Sequence, residues 1–278
     1  MRRRKKESVT WKKAKILLML YVRLLFRNYT YRVKRGLANG LYRKGGLGFI
    51  PQVSSLSKEE DFLLNFDFSG KTVYDVGGFE GVFSLFFARA VGAEGKVWVF
   101  EPNPHNYRIL VKNIELNKEL SNVHVLQLAL GRQKKTVRLT FDRIEMGRGV
   151  IADNGTSQIE ASCSGTTTEV AMDSLDNLIP ENDLPLPQFV KLDVEGYEAE
   201  VLYGMRNTLS RVKPDIFLET HDLLIRENTA RNQYCSDIIN FFLSNNYSIY
   251  HVEARNSINA ADTAVFNNGH LFCRVGQE

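Results

Sequence analysis

Between residues 71 and 130, short β-rich apolar runs alternate with runs of helical periodicity, and this alternation constrains the fold more than any other feature of the chain. "KTVYDV" reads as a strand, and "VFSLFFARAV" as a helix with Val82, Phe83, Phe86, Phe87 and Val91 on one face. "KVWVFE" reads as a strand, "NPHNYRILVKNIELN" as a helix with Tyr107, Leu110, Val111 and Ile114 inward, and "NVHVLQLAL" as a third strand. Strands that are apolar along their length and joined by helices belong in a parallel sheet covered on both faces. The stretch 132–172 breaks the pattern: "KTVRLTF" predicts an antiparallel excursion, and the polar run 143–167 a long loop. Alternation resumes with strands in "PQFVKLDVEG", "PDIFLETHD", "YSIYHVE" and "GHLFCRV" and helices in "YEAEVLYGMRNTL" and "CSDIINFFLSNN". The expectation is one doubly wound α/β domain over residues 51–278, with a seven-stranded, mostly parallel sheet and helices on both faces.

Ahead of this domain, residues 1–50 form a segment of different character. Of the 36 Lys/Arg, 15 fall in residues 1–45 with a single acid, Glu7, leaving 21 bases against 31 acids in the remainder. Within it, "WKKAKILLMLYVRLLFRNY" predicts a helix with Lys12, Lys15, Met19, Arg23 and Arg27 on one stripe. Its apolar run, Ile16 to Val22, is far short of the roughly 20 residues needed to span a bilayer, and no small-residue cleavage site follows it. Residues 11–27 suit peripheral contact with an anionic membrane surface, and equally packing on the body or on a partner subunit. A glycine-rich, lid-like stretch follows, with Gly36, Gly40, Gly45, Gly46 and Gly48. "SKEEDFLLNF" then begins a helix with Ser57 as N-cap and Glu60 three residues on, a capping box. The three cysteines, Cys163, Cys235 and Cys273, show neither zinc-site spacing nor a disulfide framework, so a reducing, cytoplasmic setting is expected, with a membrane-peripheral position left open by the arm.

The turn "DVGGFEGVFS" follows a strand and opens a helix, the context a nucleotide-binding loop requires. Gly77, Gly78 and Gly81 depart from G-x-G-x-x-G, and no G-K-[ST] marks a phosphate loop. Asp75 stands two residues before Gly77, where it would repel a pyrophosphate but suits a cationic ligand. Glu101 ends the next strand, 20 residues after Gly81, at the place of an acid that grips ribose hydroxyls. Asp75, Gly77, Gly78, Gly81 and Glu101 together favour S-adenosylmethionine (SAM), which carries an ammonium, a sulfonium and a nucleoside but no phosphate. Pro102 and Asn103 are expected beside the adenosine, and Leu130 at a strand end where adenine could lie.

Four blocks in order, "DVGGFEGVFS", "FEPNPHNYRILVKNIELN", "MDSLDNLI" and "FVKLDVEGYEAEVLYGM", resemble the FkbM family of SAM-dependent methyltransferases over roughly residues 70–222. That family usually reads D-[VI]-G-A-[NH]-x-G-x-x-[ST] in the first block, whereas this chain has Gly78 and Phe79 at the Ala and Asn/His positions. The resemblance implies a class I (Rossmann-like) methyltransferase fold, a SAM cofactor, and methylation of a hydroxyl on a sugar, glycolipid or other small metabolite.

A hydroxyl acceptor needs a base and tight positioning. "KLDVEGYE" puts Lys191 and Asp193 on one strand face, Glu195 in the following turn and Glu198 in the next helix, where it is read as a first-turn dipole partner. "FLETHD" brings Glu219 and His221 to the same carboxyl edge. Asp193, Glu195, His221 and Lys191 are the candidate catalytic residues, although Lys191 and Asp193 equally suit an internal ion pair. Asp193, Glu195 and Asp222 offer oxygen ligands, but no D-x-D or His cluster marks a metal site, and none is expected. A small-molecule or glycan hydroxyl acceptor is the expected partner. Nucleic acid is not, because the basic arm has few interleaved aromatics and matches no RNA-binding module. Other readings remain: a nitrogen- or carboxyl-directed methyltransferase, a non-catalytic SAM-binding module tethered through the arm, or an NAD-linked oxidoreductase. Oligomeric state is left open.

Overall fold

A computed structural model describes residues 21–22, 25–26, 28–45, 56–141, 149–152, 166–225, 227–259, 266 and 268–276. A hairpin of β1 (Thr30–Arg32) and β2 (Tyr42–Lys44) precedes α1 (Lys58–Leu64). The alternating half then runs β3 (Thr72–Val76), α2 (Val82–Ala90), β4 (Lys96–Phe100), α3 (Pro104–Glu115) and β5 (Val123–Leu126). The excursion contains β6 (Ala129–Leu130), β7 (Lys135–Phe141), β8 (Gly149–Ala152) and β9 (Thr166–Asp173). The second half comprises α4 (Leu175–Glu181), β10 (Phe189–Leu192), α5 (Glu198–Gly204), α6 (Arg206–Val212), β11 (Asp215–Glu219), α7 (Asn228–Ser244), β12 (Tyr247–His251), β13 (Asn256–Ile258) and β14 (His270–Val275).

The main sheet has the order β13-β12-β14-β11-β10-β3-β4-β5. Its five strands β11, β10, β3, β4 and β5 are parallel, and β14 inserts antiparallel between β11 and β12. This is a class I methyltransferase sheet. It has eight strands where seven were expected, because the short edge strand β13 pairs with β12. The excursion forms its own four-stranded sheet, β6-β9-β7-β8, with β7 antiparallel to β9 as predicted. Two of its strands, β8 and the start of β9, fall inside the stretch expected to be a loop. The single helix expected over 197–209 is two, broken at Met205. Gly204, the last residue of α5, has no room for a side chain: a Cβ there would stand 1.9 Å from the carbonyl oxygen of Gly131.

Two apolar clusters flank the main sheet. On one side Phe68 packs edge-on to Phe86, Phe87 and Phe189 at centroid distances of 5.7, 5.2 and 4.9 Å. Offset and perpendicular aromatic pairs of this kind add to the burial of their area. Ser57 caps α1 through the predicted box, accepting from Glu60 N at 3.0 Å while its own N–H donates to Glu60 Oε2 at 3.0 Å.

The glycine-rich stretch is no open loop over residues 36–45. It is the turn of the β1–β2 hairpin, whose Leu37, Ala38 and Leu41 are buried in the same cluster as Phe68. The inward face of α3 also differs from its apolar reading, since Asn106 and Asn113 are buried beside Leu110 while Tyr107, Val111 and Ile114 are half-buried. Asn113, and Asn117 just beyond the helix, serve the hairpin. Asn117 accepts from Tyr42 N and donates to Tyr42 O, both at 2.8 Å, and Asn113 accepts from Lys44 N at 2.8 Å. Side-chain amides thus satisfy an edge strand that would otherwise lie against a helix with its backbone groups unpaired.

Among the described residues no helix is long and apolar enough to cross a membrane. Of the predicted basic helix, Lys12, Lys15, Met19, Arg23 and Arg27 lie outside the described residues, as do Gly46, Gly48 and Cys163. Cys235 and Cys273 are buried free thiols.

Candidate active site

Sheet order reverses between β3 and β10, so the loops leaving their carboxyl ends part to opposite sides and leave a crevice. They touch at its base. Asp193 N donates to Val76 O at 3.0 Å, and a Cβ on Gly77 would stand 1.8 Å from the Asp193 carbonyl oxygen. Gly77 and Gly81 both have a φ of 89°, a region costly for residues with a Cβ. Each glycine of the loop is required by the protein's own packing: a Cβ on Gly78 would meet Val99 Cγ1 at 2.2 Å, and one on Gly81 would meet Leu110 Cδ1 at 2.6 Å. Val99 therefore explains why Gly78 stands where alanine is usual. Phe79, at φ 47°, is 37% exposed at the loop tip.

Asp75 is fully buried under this loop, where Ser84 Oγ donates to its Oδ2 at 2.6 Å. Burial raises its pKa against the pull of Lys191. Glu101 accepts from Phe79 N and Asn103 N, each at 2.8 Å, so one carboxylate ties together the first and second strand-to-helix loops. Burial pushes it up to about 7, despite those two donors. Pro102 is half-buried, and Asn103 N-caps α3 by accepting from His105 N at 2.9 Å. Leu130 is enclosed in the apolar cluster on the far face, in β6 opposite Asp173. Among the buried atoms with no hydrogen-bond partner are Asp75 Oδ1 and Asn103 Nδ2. An orphaned anionic acceptor and an orphaned amide donor flanking one glycine loop match the needs of a ligand bearing both an ammonium and a nucleoside.

Across the crevice the candidate catalytic residues come together. Lys191 is 1% exposed, and its Nζ pairs with Asp193 Oδ2 at 3.0 Å. Burial opposes the charge of Lys191, but Asp193 and Asp75 raise its pKa well above the usual lysine range. Asp193 is held below the usual carboxylate range, because Lys191 and His221 outweigh burial. His221 is buried, with Nε2 at 3.7 Å from Asp193 Oδ1, 3.5 Å from Glu195 Oε2 and 3.7 Å from Glu219 Oε1. Glu195 lies in the predicted turn, with φ 50°.

Glu198 lies in the first turn of α5, where sequence reasoning placed it, and makes contacts that the sequence did not show. It is completely buried and accepts from His221 Nδ1 at 2.7 Å, from Tyr234 OH at 2.6 Å and from Gly196 N at 2.9 Å. It holds the imidazole as well as the start of its own helix. Burial would lower the pKa of His221, but the Glu198 carboxylate, followed by Asp193 and Glu195, raises it to about 10. The unperturbed value near ~6.5 that made His221 a natural base does not survive this setting. Asp222, named as an oxygen ligand, is committed elsewhere: its Oδ2 accepts from both Nε and Nη2 of Arg231, at 2.9 and 2.8 Å, and its Oδ1 from Asn268 N at 2.8 Å.

A glycine loop with buried acids, facing a lysine–carboxylate–histidine cluster over the switch point of a class I sheet, agrees with the comparison that covers most of the domain. The chain matches the Methyltransferase FkbM domain over residues 74–249. The chain belongs to the FkbM methyltransferase family. The hexuronic acid methyltransferase AglP of Haloferax volcanii is 31% identical over 149 residues, covering 54% of this chain and 55% of AglP. Methyltransferase sdnD of Sordaria araneosa is 26% identical over 174 residues, covering 55% of this chain and 67% of sdnD. The FkbM methyltransferase structure from Methylobacillus flagellatus KT overlaps 77% of this chain and 46% of its own, at 19% identity and a TM-score of 0.49. The β1–β2 hairpin lies ahead of the matched FkbM segment, yet Arg43 reaches into it to pair with Glu80 at 2.8 Å.

Proposed function

We propose that this FkbM-family protein transfers a methyl group from SAM to a hydroxyl oxygen of a sugar or a related small metabolite. The observation that carries this reading is the contact of Gly77 with Asp193, which joins the adenosyl-binding half of the crevice to its carboxylate-rich half at one point. Similarity to a hexuronic acid methyltransferase supports a carbohydrate acceptor.

Asp75 and the Gly77–Gly81 loop would hold the amino-acid end of SAM, and Glu101 with Asn103 the ribose and base. When bound, SAM supplies a methyl group on a positively charged sulfur, so a lone pair on the acceptor oxygen forms the new C–O bond as the C–S bond breaks. The hydroxyl proton must leave to a base at the crevice edge. Asp193 and Glu195 are the side chains we assign to acceptor binding and proton removal, since His221 already holds its proton to about pH 10. Lys191 keeps Asp193 ionised and oriented through its 3.0 Å contact, and Glu198 fixes the ring of His221. Positioning of this kind contributes as much as roughly 7–11 kcal/mol in well-oriented systems.

Calorimetric titration of the purified protein with SAM, S-adenosylhomocysteine (SAH) and NAD tests the cofactor half. Both adenosyl ligands should bind and NAD should not, with affinity lowered in Asp75→Asn and Glu101→Gln. Incubation with SAM and uronic-acid or neutral glycosides, read by mass spectrometry, tests the acceptor. Absence of adenosyl binding by the intact chain would sink the proposal.

A further inference from the structure

His221 presents a nitrogen that the protein's own hydrogen bonds leave unused. Its side chain is 7% exposed, and Nδ1 is taken by Glu198 at 2.7 Å. Nε2 points at Asp193, Glu195 and Glu219, but at 3.5–3.7 Å all three lie beyond ordinary hydrogen-bond reach. One ligand atom each from Asp193, Glu219 and His221 falls within 4.8 Å of the others.

We propose that Asp193, Glu219 and His221 form a divalent-cation site at the acceptor end of the crevice, with Glu195 at its rim. A cation held at about 2.1 Å by each ligand sets neighbouring ligand atoms roughly 3.0–3.4 Å apart, so the two 3.7 Å separations from His221 to Asp193 and Glu219 need to close by only a few tenths of an ångström. The surroundings are those of a built site. A ligating histidine characteristically donates its other ring N–H to a carboxylate, which is the place Glu198 occupies. Lys191 binds Asp193 Oδ2 and leaves Oδ1 directed at the cluster. Behind Glu219 stands a second histidine, His270, whose Nε2 is 3.7 Å from Glu219 Oε2 and whose Nδ1 is fixed by Glu253 at 2.6 Å. Around His221 four carboxylates, Asp193, Glu195, Glu198 and Glu219, gather with Lys191, so a dication that takes the place of the His221 Nε2 proton meets an excess of negative charge.

Two carboxylates and one imidazole suit Mn²⁺ or a similar first-row ion. The role of the site rests on the methyl-transfer reading, and its existence does not. A coordinated acceptor hydroxyl would have its pKa lowered, easing loss of its proton.

The test is Mn²⁺ titration of the full chain after treatment with EDTA, read by loss of the free-ion EPR signal, beside calorimetric binding of SAH to the same samples. One Mn²⁺ per chain is expected, with at least tenfold weaker binding in the near-isosteric Glu219→Gln and Asp193→Asn. In the wild type, substoichiometric Mn²⁺ should broaden the ring protons of His221 before those of His105 and His124. No Mn²⁺ binding, binding unchanged in both variants, or broadening that spares His221 overturns the site. SAH binding without Mn²⁺ binding defeats the cation site alone. Mn²⁺ binding without SAH binding upholds the site and removes the methyl-transfer reading.

Discussion

Gly77 and Asp193 are in backbone contact at the base of the crevice: a Cβ on Gly77 would stand 1.8 Å from the Asp193 carbonyl oxygen. Gly77→Ala must therefore push the two loops apart and also hold a side chain at φ 89°. SAH affinity and turnover should both fall at least tenfold, and stability by about 1–3 kcal/mol. A variant that binds SAH normally in calorimetry would show that the contact does not set the crevice.

Glu198 should act as a positioning residue through His221. In Glu198→Gln the ring loses its carboxylate partner while the packing volume is kept, and kcat should fall tenfold or more with SAH affinity nearly unchanged. Tyr234→Phe removes only the 2.6 Å hydroxyl contact to Glu198 and should cost less. Equal loss of SAH binding and kcat in Glu198→Gln would mean a general structural role.

Glu101 gives a distinctive pH signature. Its pKa is about 7 in the folded chain against an ordinary 4.5, so between those values the folded state holds a proton that the unfolded state has released. Its contribution to stability is full below about pH 4.5, declines as pH rises through about 7 and is constant above. Urea midpoints measured across that window should fall for the wild type relative to Glu101→Gln. Parallel profiles would contradict the buried, raised carboxyl.

The hairpin predicts a split between two asparagines of similar surroundings. Asn113 and Asn117 both contact β2, but Asn113 Nδ2 also donates to Glu80 O in the glycine loop at 2.8 Å. Alanine at either position strands buried backbone groups and should destabilise by about 1–3 kcal/mol. Only Asn113→Ala should also weaken SAH binding, by several-fold in calorimetry. Equal effects on SAH would place the hairpin outside control of the loop.

Phe68 is 2% exposed at the centre of five packed rings. Phe68→Ala should cost about 3–5 kcal/mol in chemical denaturation, with little change in SAH affinity once folded. A loss under 1 kcal/mol would mean that the cluster relaxes to fill the space.

Much of the frame was legible because its signals are local. Strand and helix periodicity located the seven strands first expected in the main sheet, and the Ser57–Glu60 box located the start of α1. β13 was missed because "NSI" is too short to show a period. The single helix drawn over 197–209 ignored Gly204, whose reason for being glycine is Gly131, more than 70 positions away. The buried Asn113 of α3 contradicted an apolar-face rule because its partner Lys44 lies in a hairpin 69 residues earlier, and period alone carries no sign of such a partner.

The same division holds at the site. The order of residues by itself determined which chemical groups reach the carboxyl edge of the sheet: Asp75 and Glu101 at two strand ends, Asp193, Glu219 and His221 at two more, and glycines where the chain turns. A strand must end somewhere, and its last residues lie at the edge whatever the rest of the fold does. Only the tertiary structure decided what those groups are. Burial raised Glu101 to about 7, and Glu198, arriving from the next helix, raised His221 to about 10. Charge interactions depend on distance and desolvation, and both are set when β10 and β11 are brought side by side with α5 and α7 packed over them.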